Sequence, residues 1–230
     1  MVIWRRTSVI LSAALLAAGL RGAEPFGAAL TYQYTAPGPA CLHLRTLSRP
    51  LLRGRAVPVR LYLPATMEPG ARIPLVVFSH GIGGSRRGYS YLGSHFAANG
   101  IASLHVQHVG SDRALWIGNP FSLIGRLHDA AQEREAVNRV LDLRFALDQL
   151  LAGEHGAKVD IAQIVVAGHS YGANTALLAA GARVERDGRV LEFRDPRFSA
   201  AILISARPGA RTIDGRKAFW INERMAQDVL

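Results

Sequence analysis

Apolar positions along the 230 residues fall into short blocks of two kinds. Val57–Leu63 alternates, with Val57, Val59, Leu61 and Leu63 set against Arg60 and Tyr62, the period of a strand with one buried face. Pro74–Phe78, Ile101–Val106, Ile161–Ala167 and Ala200–Ile204 are continuous apolar runs, which predict strands buried on both faces. Between them the period changes. Tyr89, Leu92 and Phe96 recur at helical spacing, and Asn99-Gly100 ends that helix. Ala136, Val140, Leu143, Leu147 and Leu150 predict an amphipathic helix over Glu133–Leu151, stopped by Gly153, with Glu135 and Arg139 as an i,i+4 pair on another face. Asp187-Gly188 predicts a hairpin turn. Strands alternating with helices imply right-handed crossovers and a mostly parallel sheet with helices on both faces.

The amino terminus stands apart. Trp4-Arg5-Arg6 precedes the apolar run Ser8–Leu20, and small residues follow at Gly22 and Ala23. That pattern predicts a signal peptide over residues 1–23, a secreted or periplasmic location, and a single domain over 24–230 with no later membrane span. Glu24–Pro50, rich in Gly, Pro and Ala, reads as an irregular lead-in. The net charge of +10 is almost all arginine, since Lys158 and Lys217 are the only lysines. The arginines are scattered, without a basic stripe interleaved with aromatics, so the expectation is a solvated surface and no nucleic-acid partner. Cys41 is the one cysteine, and no Cys/His cluster has metal-ligand spacing, so no metal and no cofactor is expected.

Candidate chemistry concentrates in Val165–Gly172, Val-Val-Ala-Gly-His-Ser-Tyr-Gly. An apolar run leads into G-x-S-x-G centred on Ser170, and the small-residue helix Ala173–Ala180 follows. Strand, sharp turn and helix in this order lift a serine hydroxyl onto the rim of a sheet. Gly168 and Gly172 flank Ser170 because strand and helix approach too closely for side chains there. A glycine-rich turn alone would be weak evidence; the apolar strand before it and the Ala/Leu helix behind it make the difference. The second piece is Phe78-Ser-His-Gly-Ile-Gly-Gly84, directly after a predicted buried strand. Backbone N–H groups of Ile82 and Tyr171 would converge there on a developing oxyanion. Gly81, Gly83 and Gly84 let the backbone come close to substrate, and His80 braces the loop. A phosphate cradle would need G-x-x-x-x-G-K-[ST], which is absent.

Four motifs in order carry a resemblance: Pro74–Ser85, Gln107–Asp112, Leu143–Leu150 and Ala167–Gly172. Together, over about residues 55–205, they resemble bacterial dienelactone hydrolase-like proteins close to the platelet-activating-factor acetylhydrolase-like branch of the α/β-hydrolases. The resemblance implies an α/β-hydrolase fold and a cofactor-free serine esterase acting on a small or short-acyl ester. It implies Ser170 as nucleophile and Ile82 and Tyr171 as oxyanion donors; in such a turn His169 is expected to point away from the serine hydroxyl.

The chain departs from that family in one respect. The acid and then the histidine should follow the serine, yet no histidine occurs after His169. The place after Ala200–Ile204 holds Ser205-Ala-Arg-Pro, and none of Asp187, Asp195, Asp214 and Asp228 follows a convincing strand. The expectation is therefore a chain whose last strands are missing, truncated at its carboxy terminus, with Ala200–Ile204 left as an open edge. His105, His108 and His128 are substitute bases only if the fold brings them to Ser170; hydrogen-bonded structural roles are the favoured reading. Gly110–Arg126, with Trp116, Ile117, Phe121 and Leu123, is expected to cover the site. The alternative function is a dead pseudo-hydrolase or fragment that at most binds an ester or lipid.

Overall fold

The computed structural model describes residues 29–35, 55–186, 189–206 and 217–221. Among these residues nine strands are present: β1 (Ala29–Thr35), β2 (Ala56–Tyr62), β3 (Ile73–Ser79), β4 (Ala102–Val106), β5 (Val159–His169), β6 (Arg183–Arg186), β7 (Arg189–Glu192), β8 (Phe198–Ile204) and β9 (Lys217–Ile221). The same residues hold four α-helices: α1 (Ser90–Ala98), α2 (Leu123–Ala130), α3 (Glu133–Ala152) and α4 (Tyr171–Ala180). Seven strands form one sheet in the order β1-β2-β4-β3-β5-β8-β9. β4, β3, β5, β8 and β9 run parallel, while β2 is antiparallel to both its neighbours.

The alternation in β3 shows why the sheet needs two helical layers. Leu75 and Val77 face one core with Val140, Leu143 and Leu147 of α3 and Ala173, Ala176 and Leu177 of α4. Val76 and Phe78 face the other side, against Leu92 and Phe96 of α1. A parallel strand covered on both faces favours apolar side chains, which accounts for the run Pro74–Phe78. Ends of helices follow their residues too: Gly100 after α1 and Gly181 after α4 adopt positive φ of 76° and 114°. β6 and β7 pair antiparallel, with Arg186 opposite Arg189; the expected Asp187-Gly188 turn between them lies outside the described residues.

Four expectations change. The lead-in is not wholly irregular, because β1 pairs antiparallel with β2 from Ala29↔Tyr62 to Thr35↔Ala56. β8 is not an open edge: β9 pairs along it in parallel, from Ala200↔Lys217 to Ile204↔Ile221. β5 is buried only in part; Ile161 is exposed, and the ladder with β3 is irregular between Ile73↔Val159 and Leu75↔Ile164. Finally, the Glu135/Arg139 face of α3 is interior, and so the arginines are not all at the surface. Residues 1–23, with the expected signal peptide, lie outside the described residues. Among the described residues no helix is long and apolar enough to cross a membrane.

Candidate active site

Ser170 sits between β5 and α4 with φ 53° and ψ −117°, a backbone conformation that costs a non-glycine residue energy. It is held there from two sides. Its N–H donates to the Ile204 carbonyl of β8 at 2.9 Å, and its own carbonyl accepts from Ala173 N–H at 2.9 Å. The side chain makes no capping hydrogen bond and the residue is exposed at the rim. The flanking glycines are steric requirements. A methyl group on Gly168 would overlap the Gly172 carbonyl, and one on Gly172 would overlap the Ser79 carbonyl. Strand, turn and helix can close this tightly only without side chains at both positions.

The loop after β3 lies against this turn. A Cβ on Gly81 would stand 3.5 Å from Ser170 Cβ and 3.3 Å from His169 Nδ1. Gly83 N–H donates to Ser111 O at 2.9 Å, and Gly84 N–H to Gly81 O at 3.0 Å. Neither Ile82 N–H nor Tyr171 N–H is used by any turn, loop or cap hydrogen bond among the described residues. His80 is buried, accepts from His108 N–H at Nε2 (3.1 Å) and donates from Nδ1 to Gly81 O (2.6 Å). Both ring nitrogens are thereby committed to bracing the loop. Burial first, then the proximity of His108 and the Arg139 charge, keep its pKa well below the ordinary histidine value. His169 Nδ1 pairs with Tyr89 OH at 2.7 Å.

A second serine has the partners that Ser170 does not have among the described residues. Ser79 Oγ lies 2.9 Å from His108 Nε2, and His108 Nδ1 lies 2.9 Å from Asp142 Oδ2. The order is serine, histidine, aspartate, but all three are buried, at 0%, 0% and 2% exposure. Burial, then Arg139 and Arg55, hold His108 far below its ordinary pKa, so the ring is neutral; Nδ1–H donates to Asp142 and Ser79 O–H donates to Nε2. Burial raises Asp142 to about 6, against the opposing pull of Arg55. Arg55 closes the array with paired contacts to Asp142 (2.9 and 3.0 Å) and Glu135 (2.9 and 3.2 Å). No substrate can reach Ser79 in this arrangement. It is an internal brace.

The other side chains singled out from the sequence are dispersed. His105 is interior, packed on Phe78 and Tyr62, with burial and then Arg60 lowering its pKa to about 3. His128 is on α2 and 74% exposed, next to Asp129. Asp195 is held by Arg197 and Arg144, and its N–H donates to Ala179 O, at the end of α4 remote from Ser170. Asp187, Asp214 and Asp228 lie outside the described residues. The 110–126 segment folds into two 3₁₀ turns and leads into α2, leaving Trp116, Ile117 and Phe121 exposed; Trp116 Nε1–H donates to Gly83 O at 2.9 Å. The depression beside it, about 280 Å³, is lined by Gly110, Asp112, Ala114, Leu115, Arg126 and Asp129, none of which belongs to the serine turn. Among the described residues no group of three His, Cys, Asp or Glu side chains could hold a metal ion.

Arg55, Ser79, Glu135, Arg139 and Asp142 were not legible as parts of one site. Glu135, Arg139 and Asp142 do recur at helical spacing, but such a stripe reads as a solvated face unless something is known to pack on it.

Residues 46–118 match the family model for platelet-activating factor acetylhydrolase, isoform II. The chain is 25% identical over 149 residues to a platelet-activating factor acetylhydrolase from Cavia porcellus, covering 48% of this chain and 32% of that one. It thus spans about a third of that relative's length. Among solved structures, it is similar to a ferulic acid esterase from Streptomyces cinnamoneus (TM-score 0.60, 21% identity, 88% of this chain and 66% of that one). It is also similar to an acylaminoacyl peptidase (TM-score 0.50, 17% identity, 80% of this chain and 24% of that one). Sheet order, serine turn and these likenesses together give the chain an α/β-hydrolase fold, and part of its sequence is similar to the platelet-activating factor acetylhydrolases.

Proposed function

We propose that the protein is a cofactor-free serine ester hydrolase acting on a small or short-acyl ester. The observation that carries this reading is Ser170 itself: exposed, unengaged at Oγ by the helix it caps, and held at a strained positive φ. Strain of this kind persists where the surrounding structure enforces it, and here Gly168, Gly172 and β8 do so. Ser170 Oγ attacks the ester carbonyl, and Ile82 and Tyr171 N–H groups hold the oxyanion of the tetrahedral intermediate. The alcohol leaves with a proton, and water then releases the acid from the acyl-serine. The acetyl group in the relative's name supports a short acyl chain. Export to the periplasm or medium belongs to the same reading, from the predicted leader.

Ser170 needs a base to take its proton. Among the described residues no histidine hydrogen-bonds to it, and His80 and His108 are committed elsewhere at both ring nitrogens. This observation favours the second reading, a pseudo-hydrolase that binds an ester without turning it over. Hydrolysis of a chromogenic acetate ester by the full chain, beside Ser170→Ala, decides between them. Activity lost in the variant supports the esterase; equal rates with retained ester binding support the pseudo-hydrolase.

A further inference from the structure

An oxyanion hole works when its donors stand about 2.7–3.1 Å from where the charge develops, so two donors from separate segments must be fixed relative to each other. Ile82 belongs to the loop after β3, and Tyr171 to the first turn of α4. One side chain touches the surroundings of both. Arg139 of α3 donates from Nη2 to the His80 carbonyl and to Ser79 Oγ (3.1 Å), from Nη1 to Ser111 Oγ (2.8 Å), and from Nε to Thr175 Oγ1 (2.9 Å). Its guanidinium carbon Cζ lies over the Tyr171 ring, 4.6 Å from the centroid.

We infer that Arg139 is the positioning residue that sets the separation of the Ile82 and Tyr171 N–H donors; the inference rests on the ester-hydrolase reading above. The loop is gripped on both sides of Ile82, at His80 by Arg139 and at Gly83 by Ser111, whose hydroxyl Arg139 also holds. The helix is gripped at Thr175, while the Tyr171 ring rests on the guanidinium. Arg139 has no solvent exposure, and burial lowers its pKa to about 10, partly offset by Tyr171, Glu135 and Asp142. It therefore stays charged at neutral pH. Two carboxylates, Glu135 and Asp142, balance the two cations Arg55 and Arg139. For stability alone, a well-packed apolar residue often does as well as a buried ion. What an apolar residue cannot do is fix several polar atoms of three segments at once. Lysine cannot either, because its donors share one nitrogen and it has no planar face to lay on Tyr171.

The test uses the full chain with Arg139→Lys, and Arg197→Met as a control that disturbs the ion pairs at the far end of α4. In Arg139→Lys, kcat on the chromogenic acetate should fall about 10- to 100-fold while KM stays within about twofold, the signature of an interaction made in the transition state. Amide exchange at Gly83 and Gly84 should speed up by about tenfold or more. Arg197→Met should lower Tm while leaving kcat, KM and exchange at Gly83 and Gly84 as in the wild type. If Arg139→Lys does not fold, Thr175→Val removes one of its contacts isosterically and should lower kcat by about 3- to 10-fold at constant KM. Wild-type kcat and exchange in Arg139→Lys would overturn the inference, as would losses that merely track Tm in both variants. If the wild-type chain shows no Ser170-dependent hydrolysis, the esterase reading falls and exchange at Gly83 and Gly84 decides this one: faster upholds it, unchanged overturns it.

Discussion

Ser79 and Ser170 divide between them what a catalytic serine needs. Ser79 has a histidine at 2.9 Å and, through it, an aspartate at 2.9 Å, yet it is buried and its hydroxyl also accepts from Arg139. Ser170 has the strained perch, the exposure and two unengaged N–H groups nearby, but no described histidine bonded to it. The contrast teaches that serine–histidine–aspartate distances alone do not define a triad. Access and backbone strain support Ser170 as the proposed nucleophile; a relaxed, enclosed array marks a brace. The same hydrogen bonds that would activate an exposed serine here tie β3, the loop after β4, and α3 together.

The largest effect expected is on catalysis. Given a complete machine, Ser170→Ala should lower ester hydrolysis by about 10⁶-fold. Ser79→Ala should chiefly cost stability, about 1–3 kcal/mol, by leaving buried groups of His108 and Arg139 short of a partner. Paired rate and denaturation measurements check both, and a reversed outcome would exchange the two roles. Next is acid sensitivity. His80, His105 and His108 all have pKa values below their unfolded ones, so the unfolded chain binds more protons from pH 6.5 downward. Their stability contribution is present above 6.5 and is lost as pH falls, by about 1.4 kcal/mol per pH unit for each histidine. Asp142, raised to about 6, works the other way between its unfolded value of 3.8 and 6, and offsets about one histidine there. Urea midpoints from pH 7.5 to 5 should therefore fall steeply; a flat profile would mean that the interior histidines are not buried neutral.

Smaller changes sharpen the perch itself. Gly172→Ala forces a methyl into the Ser79 carbonyl and should cost about 3 kcal/mol or more, read from thermal or urea unfolding. Near-wild-type stability would show that β3 and α4 do not approach as described. The least effect belongs to His128→Ala, at an exposed position on α2: hydrolysis unchanged and stability within about 0.5 kcal/mol. A collapse of hydrolysis there would make His128 the missing base.

The sheet and the Ser170 turn were legible because each depends on local pattern. β2, β3, β4, α1, α3 and β8 follow from apolar period, and the Ser170 turn follows from two glycines that steric closeness requires. β1 carried a readable alternation, Leu30, Tyr32 and Tyr34, inside a stretch whose glycines and prolines outweighed it. β9 is five residues long, and its place beside β8 depends on a pairing that no local pattern announces. The buried array was illegible for a different reason. Glu135, Arg139 and Asp142 look identical in sequence whether water or protein lies opposite them.

By itself, then, the amino-acid order determined the layers, the parallel strands and the serine turn, because these arise from residue period and from clashes between near neighbours. Tertiary structure alone decided which polar side chains turn inward, that Arg139 touches both the loop after β3 and α4, and that His108 serves Ser79 rather than Ser170. Those outcomes depend on the distance between segments far apart in the chain, and a buried charge is tolerated only where such segments bring it partners.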